Sequence, residues 1–267
     1  MLSYQHIYHA GNTADVHKHA FLSWMLARLT DKAKPLSYIE THAGRGGYQL
    51  DAAEALKTGE SAAGVARMLA GFAPDHPYRQ VVEAKRARMG RDSYPGSPLI
   101  AAELLREDDR IHLAELHPQE HAALRGAVGR RARVHQADGF ALALSICPPE
   151  PRRGVLLIDP SYEIKTDYET LPRFIAKVNR MWNVGIVMLW YPILQDAPHR
   201  PMLRALEAAG LPGALRHEVA FPPVRVGHRM VGSGLFLVNA PFGAAEELAR
   251  VEEMFRSLGQ GGHASDQ

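Results

Sequence analysis

The stretch Arg-Gly-Val-Leu-Leu-Ile-Asp-Pro-Ser-Tyr-Glu, residues 153–163, decides the fold of this chain. Residues 154–158 carry no polar side chain and lie between a Pro/Arg-rich loop and the pair Asp159-Pro160. Such a short apolar run is typical of a strand that is buried on both faces in a parallel sheet. Because proline cannot donate a hydrogen bond to a ladder, the strand ends at Asp159. The carboxylate is then presented at the carboxyl end of a central strand, where open α/β sheets bind their ligands.

Asp159, Pro160 and Tyr162 form the pattern Asp-Pro-x-Tyr, which resembles the catalytic signature of amino-methyltransferases. An exocyclic amine must become more sp³-like before it attacks a methyl sulfonium, and acceptors on its N–H groups favour that change. The Asp159 carboxylate and the Pro160 carbonyl are candidate acceptors, and Tyr162 is a candidate for stacking on a base. Ser161 replaces the usual second proline, so a less rigid turn is expected. An ordinary strand-ending turn is the alternative interpretation.

Length and composition exclude several classes of protein. A chain of 267 residues fits one large domain, or one domain with an insertion. The formal net charge of +2 and the pI of about 8.7 permit a polyanionic partner without requiring one. The single cysteine, Cys147, excludes an intrachain disulfide and favours a cytoplasmic location. We expect no signal peptide and no membrane partner, since the longest apolar run, residues 184–194, is too short to span a bilayer.

The polar N-terminal segment, residues 1–20, precedes a clear helical pattern. Its histidines at positions 6, 9, 17 and 19 raise a zinc hypothesis, which we disfavour because zinc sites have tighter spacing and supporting acids or thiols. We therefore expect no metal. The alternative is a polar cap over a pocket, in which a single turn brings four side chains to one ligand: Asn12, Asp15, Lys18 and His19.

A second strand followed by a glycine-rich turn lies at residues 36–47 and contains Glu40 and Gly44. The order acid-x-x-x-Gly-x-Gly is typical of the first strand of many S-adenosylmethionine (SAM)-dependent methyltransferases, although any glycine-rich turn would match. An acid that binds ribose is expected roughly 20 residues later. The first match is Glu115, so we interpret residues 48–96 as an inserted helical subdomain.

The insertion carries the densest basic cluster of the chain. Two interpretations stay open for it: a phosphate-binding surface or a solvated helix face. The members are Arg79, Lys85, Arg86, Arg88 and Arg91.

Polar and aromatic residues follow the later predicted elements. Ser97 is a candidate N-cap for a helix over residues 99–105, and Asp138 follows a strand over 132–136. Asp138 suits either recognition of an adenine amine or capping of the next helix. The pair Trp190-Tyr191 ends a strand over 184–190 and either lines a base pocket or closes the sheet. A basic loop with Arg225 and Arg229 separates two antiparallel strands, 214–220 and 234–239.

Strands that alternate with helices and end in a hairpin predict an α/β fold, a Rossmann-like doubly wound sheet with an antiparallel last strand. That is the plan of class I SAM-dependent methyltransferases. We assign residues 1–47 and 97–258 to this methyltransferase domain and 48–96 to the insertion. The Gly/Ser/Gln-rich end, residues 259–267, is expected to be disordered. A monomer is expected, because no apolar stripe beyond the core calls for a dimer.

Six separated motifs, in order, resemble the RlmJ family, and the resemblance extends from Met1 to about Pro241. It implies SAM-dependent methylation of the N6 amine of an adenine in bacterial 23S ribosomal RNA. The motifs are His-Ala-Gly-Asn-x-Ala-Asp-Val-x-Lys-His (9–19), Thr-His-Ala-Gly (41–44), Tyr-Pro-Gly-Ser-Pro-Leu-Ile (94–100), Glu-Leu-His-Pro (115–118), Ala-Asp-Gly-Phe (137–140) and Ile-Asp-Pro-x-Tyr-Glu (158–163).

The resemblance also implies roles for individual residues. Asp159 is the catalytic acid that accepts the N6 proton, with Pro160 and Tyr162 beside it, and Tyr4 faces the RNA. Glu115 is implied to bind the ribose of SAM, and Asp138 with Gly139 its adenine. The complete set of expected cofactor contacts is Lys18, His19, His42, Gly44, Ser97, Glu115, Asp138, Gly139 and Asp159.

Other functions compete with this interpretation. The runner-up is a DNA adenine-N6 methyltransferase, because the signature does not separate the two nucleic acids. A protein glutamine methyltransferase uses a similar signature, but the basic insertion argues against it. A non-catalytic RNA-binding module has only Ser161 in its favour. A nicotinamide oxidoreductase would leave Asp-Pro-x-Tyr unexplained, and pyrimidine-C5 methylation requires a cysteine nucleophile, whereas Cys147 lies outside the motifs.

Overall fold

The computed structural model describes residues 5–223 and 227–260, with side chains as far as residue 257. Its strands, in chain order, are β1 Ser37–Glu40, β2 Gly47–Gln49, β3 Ser93–Pro95, β4 Arg110–Ala114, β5 Arg133–His135, β6 Gly154–Ile158, β7 Ile186–Leu194, β8 Leu215–Ala220 and β9 Met230–Val238. Its α-helices are α1 Thr13–Thr30, α2 Ala53–Thr58, α3 Glu60–Ala63, α4 Val65–Met68, α5 Pro77–Met89, α6 Ser97–Leu104, α7 Pro118–Val128, α8 Gly139–Ile146, α9 Asp167–Met181, α10 His199–Ala208 and α11 Ala244–Gln260.

The centre of the molecule is a seven-stranded sheet in the order β5-β4-β1-β6-β7-β9-β8. The first five strands run parallel, and β9 pairs antiparallel with both β7 and β8. All five residues of β6 are buried, as the apolar run at residues 154–158 predicted. The predicted α/β class with an antiparallel hairpin at one edge is therefore confirmed. The carboxyl ends of β1, β4 and β6 meet at one edge of the sheet.

Helices cover both faces of this sheet. One apolar cluster packs α1, α6, α7 and α11 against one face, and a second packs α8, α9 and α10 against the other. A third cluster joins the N-terminal half of α1, the helices of residues 48–96 and the C-terminal half of α11. The insertion thus shares its core with α1 and α11, and the β2–β3 ladder closes its two ends. Among the described helices, none combines the length and the apolar character needed to cross a membrane.

Two local expectations were wrong, and one helix was missed. Strand β7 does not end at Trp190 but continues through Pro192 to Leu194. Proline is tolerated there because β6 pairs with β7 only as far as Leu189, so in the described chain the last part of β7 has β9 as its one partner. Ser97 is the first residue of α6 and not its cap, a position that Gly96 occupies. Helix α11 was not predicted, although its apolar residues recur at helical spacing: Leu248, Val251 and Phe255.

We predict that Gly154→Ala destabilises the sheet. A Cβ at residue 154 would lie 1.9 Å from the carbonyl oxygen of Ser37 on β1, so the backbone of two buried strands must shift. The free energy of unfolding in urea should fall by about 3 kcal/mol, as for severe overpacking. The matched control is Gly126→Ala, at an exposed position in the last turn of α7, where nothing lies within 4 Å of the new methyl group. It should raise the free energy of unfolding by up to about 1 kcal/mol. Equal effects of the two substitutions would contradict the close packing of β1 and β6.

Candidate active site

A cavity of about 610 Å³ opens at the carboxyl ends of β1, β4 and β6. It is bounded by the N-terminal segment, the turns after these strands, and the loop before β9. All the predicted site residues that the structure describes line it: Lys18, His19, His42, Gly44, Ser97, Glu115, Asp138, Gly139, Asp159, Pro160 and Tyr162. Tyr4 lies outside the described residues. The roles assigned to these residues remain predictions, but the chain brings them to one place.

A buried lysine bridges two carboxylates at the centre of the cavity. Lys18 Nζ donates to Asp159 Oδ2 at 2.6 Å and to Asp15 Oδ1 at 3.0 Å, and its side chain is 4% exposed. Burial alone would lower the pKa of Lys18, but the two carboxylates raise it above its usual value, so the ammonium stays charged. It contacts only Oδ2 of Asp159 and so uses one of about four lone-pair sites on that carboxylate.

The start of α1 places Lys18 there. The Asn12 side chain caps the helix by accepting from the backbone N–H of Asp15 at 2.8 Å. Asp15, Lys18 and His19 then fall on one helical face at i, i+3 and i+4. All four residues reach the cavity, as the polar-cap interpretation predicted.

Asp15 is the second anion of this bridge. It also accepts from the backbone of Gly11 at 2.8 Å and from His6 Nε2 at 2.9 Å. Burial alone would raise the pKa of Asp15, but His6, Lys18 and His19 hold it well below its usual value. The N-terminal segment is thereby fixed against the first turn of α1.

Glu40 lies behind Ser97 and not in the cavity wall. Its fully buried carboxylate accepts from Ser97 Oγ at 2.5 Å and from the Tyr38 hydroxyl at 2.8 Å. Burial raises the pKa of Glu40 to about 8, although both hydrogen bonds oppose that shift. Because the hydroxyl proton of Ser97 points to Glu40, the oxygen presents lone pairs to the cavity and suits a donor group of a ligand.

Glu115, Asp138 and Gly139 also line the cavity. Glu115 accepts from the backbone N–H groups of Gly44 at 2.8 Å and His117 at 2.7 Å, so its carboxylate is held in one orientation. Asp138 caps α8 by accepting from the Ala141 backbone at 2.8 Å, the structural role that was its alternative interpretation. A Cβ at Gly139 would lie 1.8 Å from the carbonyl oxygen of Thr41, so only glycine fits that position.

Two histidines in the cavity wall are neutral at pH 7. Burial lowers the pKa of His19 to about 3 and that of His42 to about 4. His19 Nδ1 bonds with the Tyr94 hydroxyl at 2.8 Å, whereas its buried Nε2 finds no hydrogen-bond partner within the described part of the chain. A buried polar atom left in this way marks a place for a polar group of a ligand.

The Asp-Pro-Ser-Tyr turn is strained and well packed. Tyr162 has φ +57°, which is rare outside glycine, and is 8% exposed. Its hydroxyl donates to the carbonyl of Trp190 at 2.7 Å. Its ring packs against the ring of Tyr168, with 4.6 Å between the two centroids. Ser161, in place of the second proline, accepts a long hydrogen bond of 3.4 Å from the backbone of Glu163.

The aromatic pair of β7 has two different environments. Trp190 is half-buried and lines the cavity, with Lys18 Nζ 5.5 Å from its ring centroid. Tyr191 is fully buried in the second apolar cluster and donates its hydroxyl to Glu218 at 2.9 Å. Trp190 is thus the residue of the pair at the cavity, and Tyr191 closes the sheet.

Glu60 of the insertion was missed by sequence reasoning, since an acid that follows a glycine carries no signal. Its side chain is 1% exposed and accepts from His9 Nδ1 at 3.0 Å and from Asn12 Nδ2 at 3.0 Å. His228 Nε2 lies 3.5 Å away, on the loop before β9. One carboxylate therefore connects the insertion to two other segments at the mouth of the cavity.

The four N-terminal histidines each have a separate environment. The pairs are His6 with Asp15, His9 with Glu60, His17 with Ser233, and His19 with Tyr94. No cluster of three or more metal-binding side chains occurs in residues 5–223 and 227–257.

The predicted basic surface is partly neutralised by exposed ion pairs. Arg79 pairs with Glu83 at 2.7 Å and Arg88 with Glu103 at 2.6 Å. Arg229 pairs with Asp196 at 2.7 Å, and Arg225 lies outside the described residues. Such exposed pairs contribute at most about 1 kcal/mol each, so phosphates could replace the carboxylates.

Comparison with known proteins gives one consistent family. The sequence model described as "Ribosomal RNA large subunit methyltransferase D, RlmJ" matches residues 33–265. The chain is 41% identical over 256 residues to ribosomal RNA large subunit methyltransferase J of Escherichia coli K12, covering 94% of this chain and 91% of that protein. It is 38% identical over 248 residues to the protein of the same name from Haemophilus influenzae, with 91% and 88% covered. A crystal structure of protein LPL1258 from Legionella pneumophila superposes with a TM-score of 0.83 at 34% identity, covering 95% of each chain.

We predict that Lys18→Met lowers stability, because it leaves Asp15 and Asp159 as buried carboxylates without their cation. Removing one member of a buried ion pair costs about 3–5 kcal/mol. Lys177→Met, on the exposed face of α9, is the control and should change the free energy of unfolding by less than about 0.5 kcal/mol. Urea unfolding at pH 7 measures both. A loss for Lys18→Met no larger than that for Lys177→Met would show that the bridge does not stabilise the fold.

Proposed function

The chain belongs to the RlmJ family of ribosomal RNA large subunit methyltransferases, and we propose that it methylates the N6 amine of an adenine in 23S ribosomal RNA. It is an enzyme of the SAM-dependent class I type. The observation that carries the proposed chemistry is the bond between Lys18 and Asp159 at the carboxyl end of β6, inside the large cavity. The turn that follows offers a second acceptor, the carbonyl of Pro160.

The cavity residues fit SAM. The free lone pairs of Ser97 Oγ suit the methionine ammonium, and the oriented Glu115 carboxylate suits the two ribose hydroxyls. Gly139 and Asp138 lie where the adenine would be held, and the unpartnered His19 Nε2 offers a further polar contact. Bound SAM supplies an electrophilic methyl group on a sulfonium, and the chain's own residues position the amine.

Asp159 has the central part in that positioning. Its carboxylate and the Pro160 carbonyl accept hydrogen bonds from the two N6 protons, which directs the nitrogen lone pair towards the methyl group. Lys18 fixes the carboxylate by holding Oδ2. After transfer the nitrogen carries one proton too many, and Asp159 is the acceptor within reach. The half-buried Trp190 offers a face for the base, since aromatic side chains stack on every nucleobase.

A cysteine mechanism is disfavoured by position. Cys147 is buried, is not among the cavity-lining residues, and has a thiol pKa raised by burial to about 12. Direct transfer to an amine requires no covalent intermediate.

Ribosomal RNA is favoured over DNA because the matched family and both curated relatives carry ribosomal RNA in their names. The target adenine must leave any stack to reach Asp159, which costs least in unpaired RNA. An RNA substrate and a single cysteine favour a cytoplasmic enzyme, and we propose that it acts as a monomer.

The direct test is methyl transfer from labelled SAM to deproteinised 23S ribosomal RNA, with DNA in parallel, followed by digestion to nucleosides. The proposal requires N6-methyladenosine in the RNA. Label in DNA alone would favour the runner-up. A different methylated nucleoside would refute the assignment of Asp159 to an adenine amine.

We predict that Asp159→Ala still folds, because Asp15 remains paired with Lys18, and binds SAM but loses methyl transfer by about 10²-fold or more, as for removal of a catalytic acid–base group. Initial rates with labelled SAM measure the loss, and calorimetry measures SAM binding. Asp75→Ala, on the exposed surface of the insertion, is the control and should keep the wild-type rate. Turnover above about 1% of wild type would exclude Asp159 as the key acceptor.

We also predict that the basic cluster of the insertion, which lies on α5 and just after it, binds phosphates. Each of Lys85→Ala and Arg91→Ala should reduce the slope of log K against log salt by about 0.7–0.9 for RNA binding, the value for one lost phosphate contact. An unchanged slope would identify this surface as a solvated helix face. Lys177→Ala on α9 serves as the control for removal of a single exposed positive charge.

A further inference from the structure

A chain of hydrogen-bonding groups leads from the cavity wall through the protein interior. Trp190 Nε1 donates to Ser233 Oγ at 2.9 Å, and Ser233 Oγ lies 2.8 Å from His17 Nδ1. His17 Nε2 lies 3.0 Å from His217 Nδ1. His217 Nε2 is 3.7 Å from the carboxylate of Glu252, whose side chain is 35% exposed. The series therefore begins at the cavity and ends at the molecular surface.

The five groups come from five different elements: β7, β9, α1, β8 and α11. Ser233 and His17 are fully buried, so neither can exchange its partner for water. His17 and Ser233 contact each other although they are 216 positions apart in the sequence. Local structure alone does not require such a contact between α1 and β9.

The groups at the two ends favour one direction for the bonds between them. The indole of Trp190 can only donate, and the carboxylate of Glu252 lies near His217 as an acceptor. Ser233 therefore accepts from Trp190 and donates its hydroxyl proton to His17 Nδ1. His17 then carries its proton on Nε2 and donates to His217, whose Nε2 lies 3.7 Å from Glu252, too far for a direct hydrogen bond.

This arrangement satisfies Trp190, Ser233 and His17 with both histidines neutral, whereas His217 Nε2 has no partner within hydrogen-bond distance in the described part of the chain. Burial lowers the pKa of His17 well below its usual value, with His217 as a second cause. Burial also lowers the pKa of His217, although Glu252 opposes that shift. This pattern of proton positions is consistent with the donor at the Trp190 end and with the position of the Glu252 carboxylate near His217.

The Trp190 side chain, at the cavity end of the series, is held by packing on several sides. Trp190 packs against all three apolar clusters, and its backbone carbonyl accepts from the Tyr162 hydroxyl at 2.7 Å. Lys18 Nζ, which holds Asp159, is 5.5 Å from the ring centroid. Rotation of the indole would break the bond to Ser233 and would move the face that borders Lys18.

We propose that Ser233 and His17 are positioning residues, which hold the Trp190 indole as one wall of the site for the target adenine. The proposal rests on the proposed function, because it assumes that a nucleobase occupies the cavity beside Asp159. It assigns a role in substrate orientation to residues that do not themselves line the cavity. A misplaced wall lowers the rate because near-attack geometry tolerates only small displacements.

A double-mutant cycle tests the connection through the indole N–H. Ser233→Ala should lower kcat/KM for RNA about fivefold, the effect of losing one buried hydrogen bond. It should leave the Kd for SAM unchanged. In a Trp190→Phe background, which has no indole N–H, Ser233→Ala should have no further effect on kcat/KM. An equal loss in both backgrounds would overturn the proposal, because Ser233 would then act through general stability.

A spectroscopic readout is independent of turnover. The chain has three tryptophans, so the emission of Trp190 is obtained by subtracting the spectrum of Trp190→Phe from that of the wild type. Ser233→Ala should shift this difference spectrum, and an unshifted spectrum would refute the bond to Trp190. Ser93→Ala, which removes another fully buried strand hydroxyl outside the cavity, is the control and should shift nothing.

Methylation and emission measurements distinguish a failure of the proposed function from a failure of this proposal. Wild-type protein that methylates neither RNA nor DNA would refute the proposed function, whereas the emission shift would still report the hydrogen bond. If Ser233→Ala does not fold, Ser233→Cys replaces it, because a thiol is a weak donor of similar size. Ser233→Cys should give a smaller loss of kcat/KM that also vanishes in the Trp190→Phe background, and a loss that persists there would overturn the proposal.

Discussion

The bridge from Lys18 to Asp15 and Asp159 is the interaction on which the rest of the site depends. A buried ammonium is tolerated only when carboxylates and hydrogen bonds replace its hydration, and two carboxylates do so here. One of them ends a central strand and the other lies in the first turn of α1. The requirement to neutralise a single charge therefore fixes the N-terminal segment over the carboxyl edge of the sheet, where ligands bind.

Helix α1 connects the stability of the fold to the geometry of the site. Its second half, including Phe21, Leu22 and Met25, lies in the main apolar cluster, so the helix axis is set by core packing. Its first two turns carry the polar residues of the cavity. Because a helix is rigid, the packing of its second half in the core determines where Lys18 lies. The insertion supports the N-terminal end of α1 through the hydrogen bond from Asn12 to Glu60.

The sequence predicted the parts of the site that depend on local order. Asp159 and Glu115 were found because a polar residue at the carboxyl end of a buried strand is a local pattern, and the doubly wound sheet with an antiparallel last strand followed from general rules of α/β folds. Glu60 and the pairing of His17 with Ser233 could not be found, since they join residues far apart in the chain. The end of β7 was predicted wrongly, because a proline at position 192 is tolerated only where the neighbouring strand β6 has already ended. Helix α11 was missed although its apolar spacing is regular.

The charges of the cavity suit a cationic cofactor and a neutral base. Burial keeps His19 and His42 uncharged, and the ammonium of Lys18 is already balanced by two carboxylates. A sulfonium bound at the proposed site would be near the carboxylates of Glu115 and Asp138, and these neutral or balanced side chains would not repel it. In the proposed reaction the positive charge of the sulfonium would pass to the adenine amine, for which Asp159 is the proposed acceptor. Burial of the histidines and the lysine bridge therefore both limit the positive charge in the cavity. Protonated imidazoles at these positions would oppose both cofactor binding and methyl transfer.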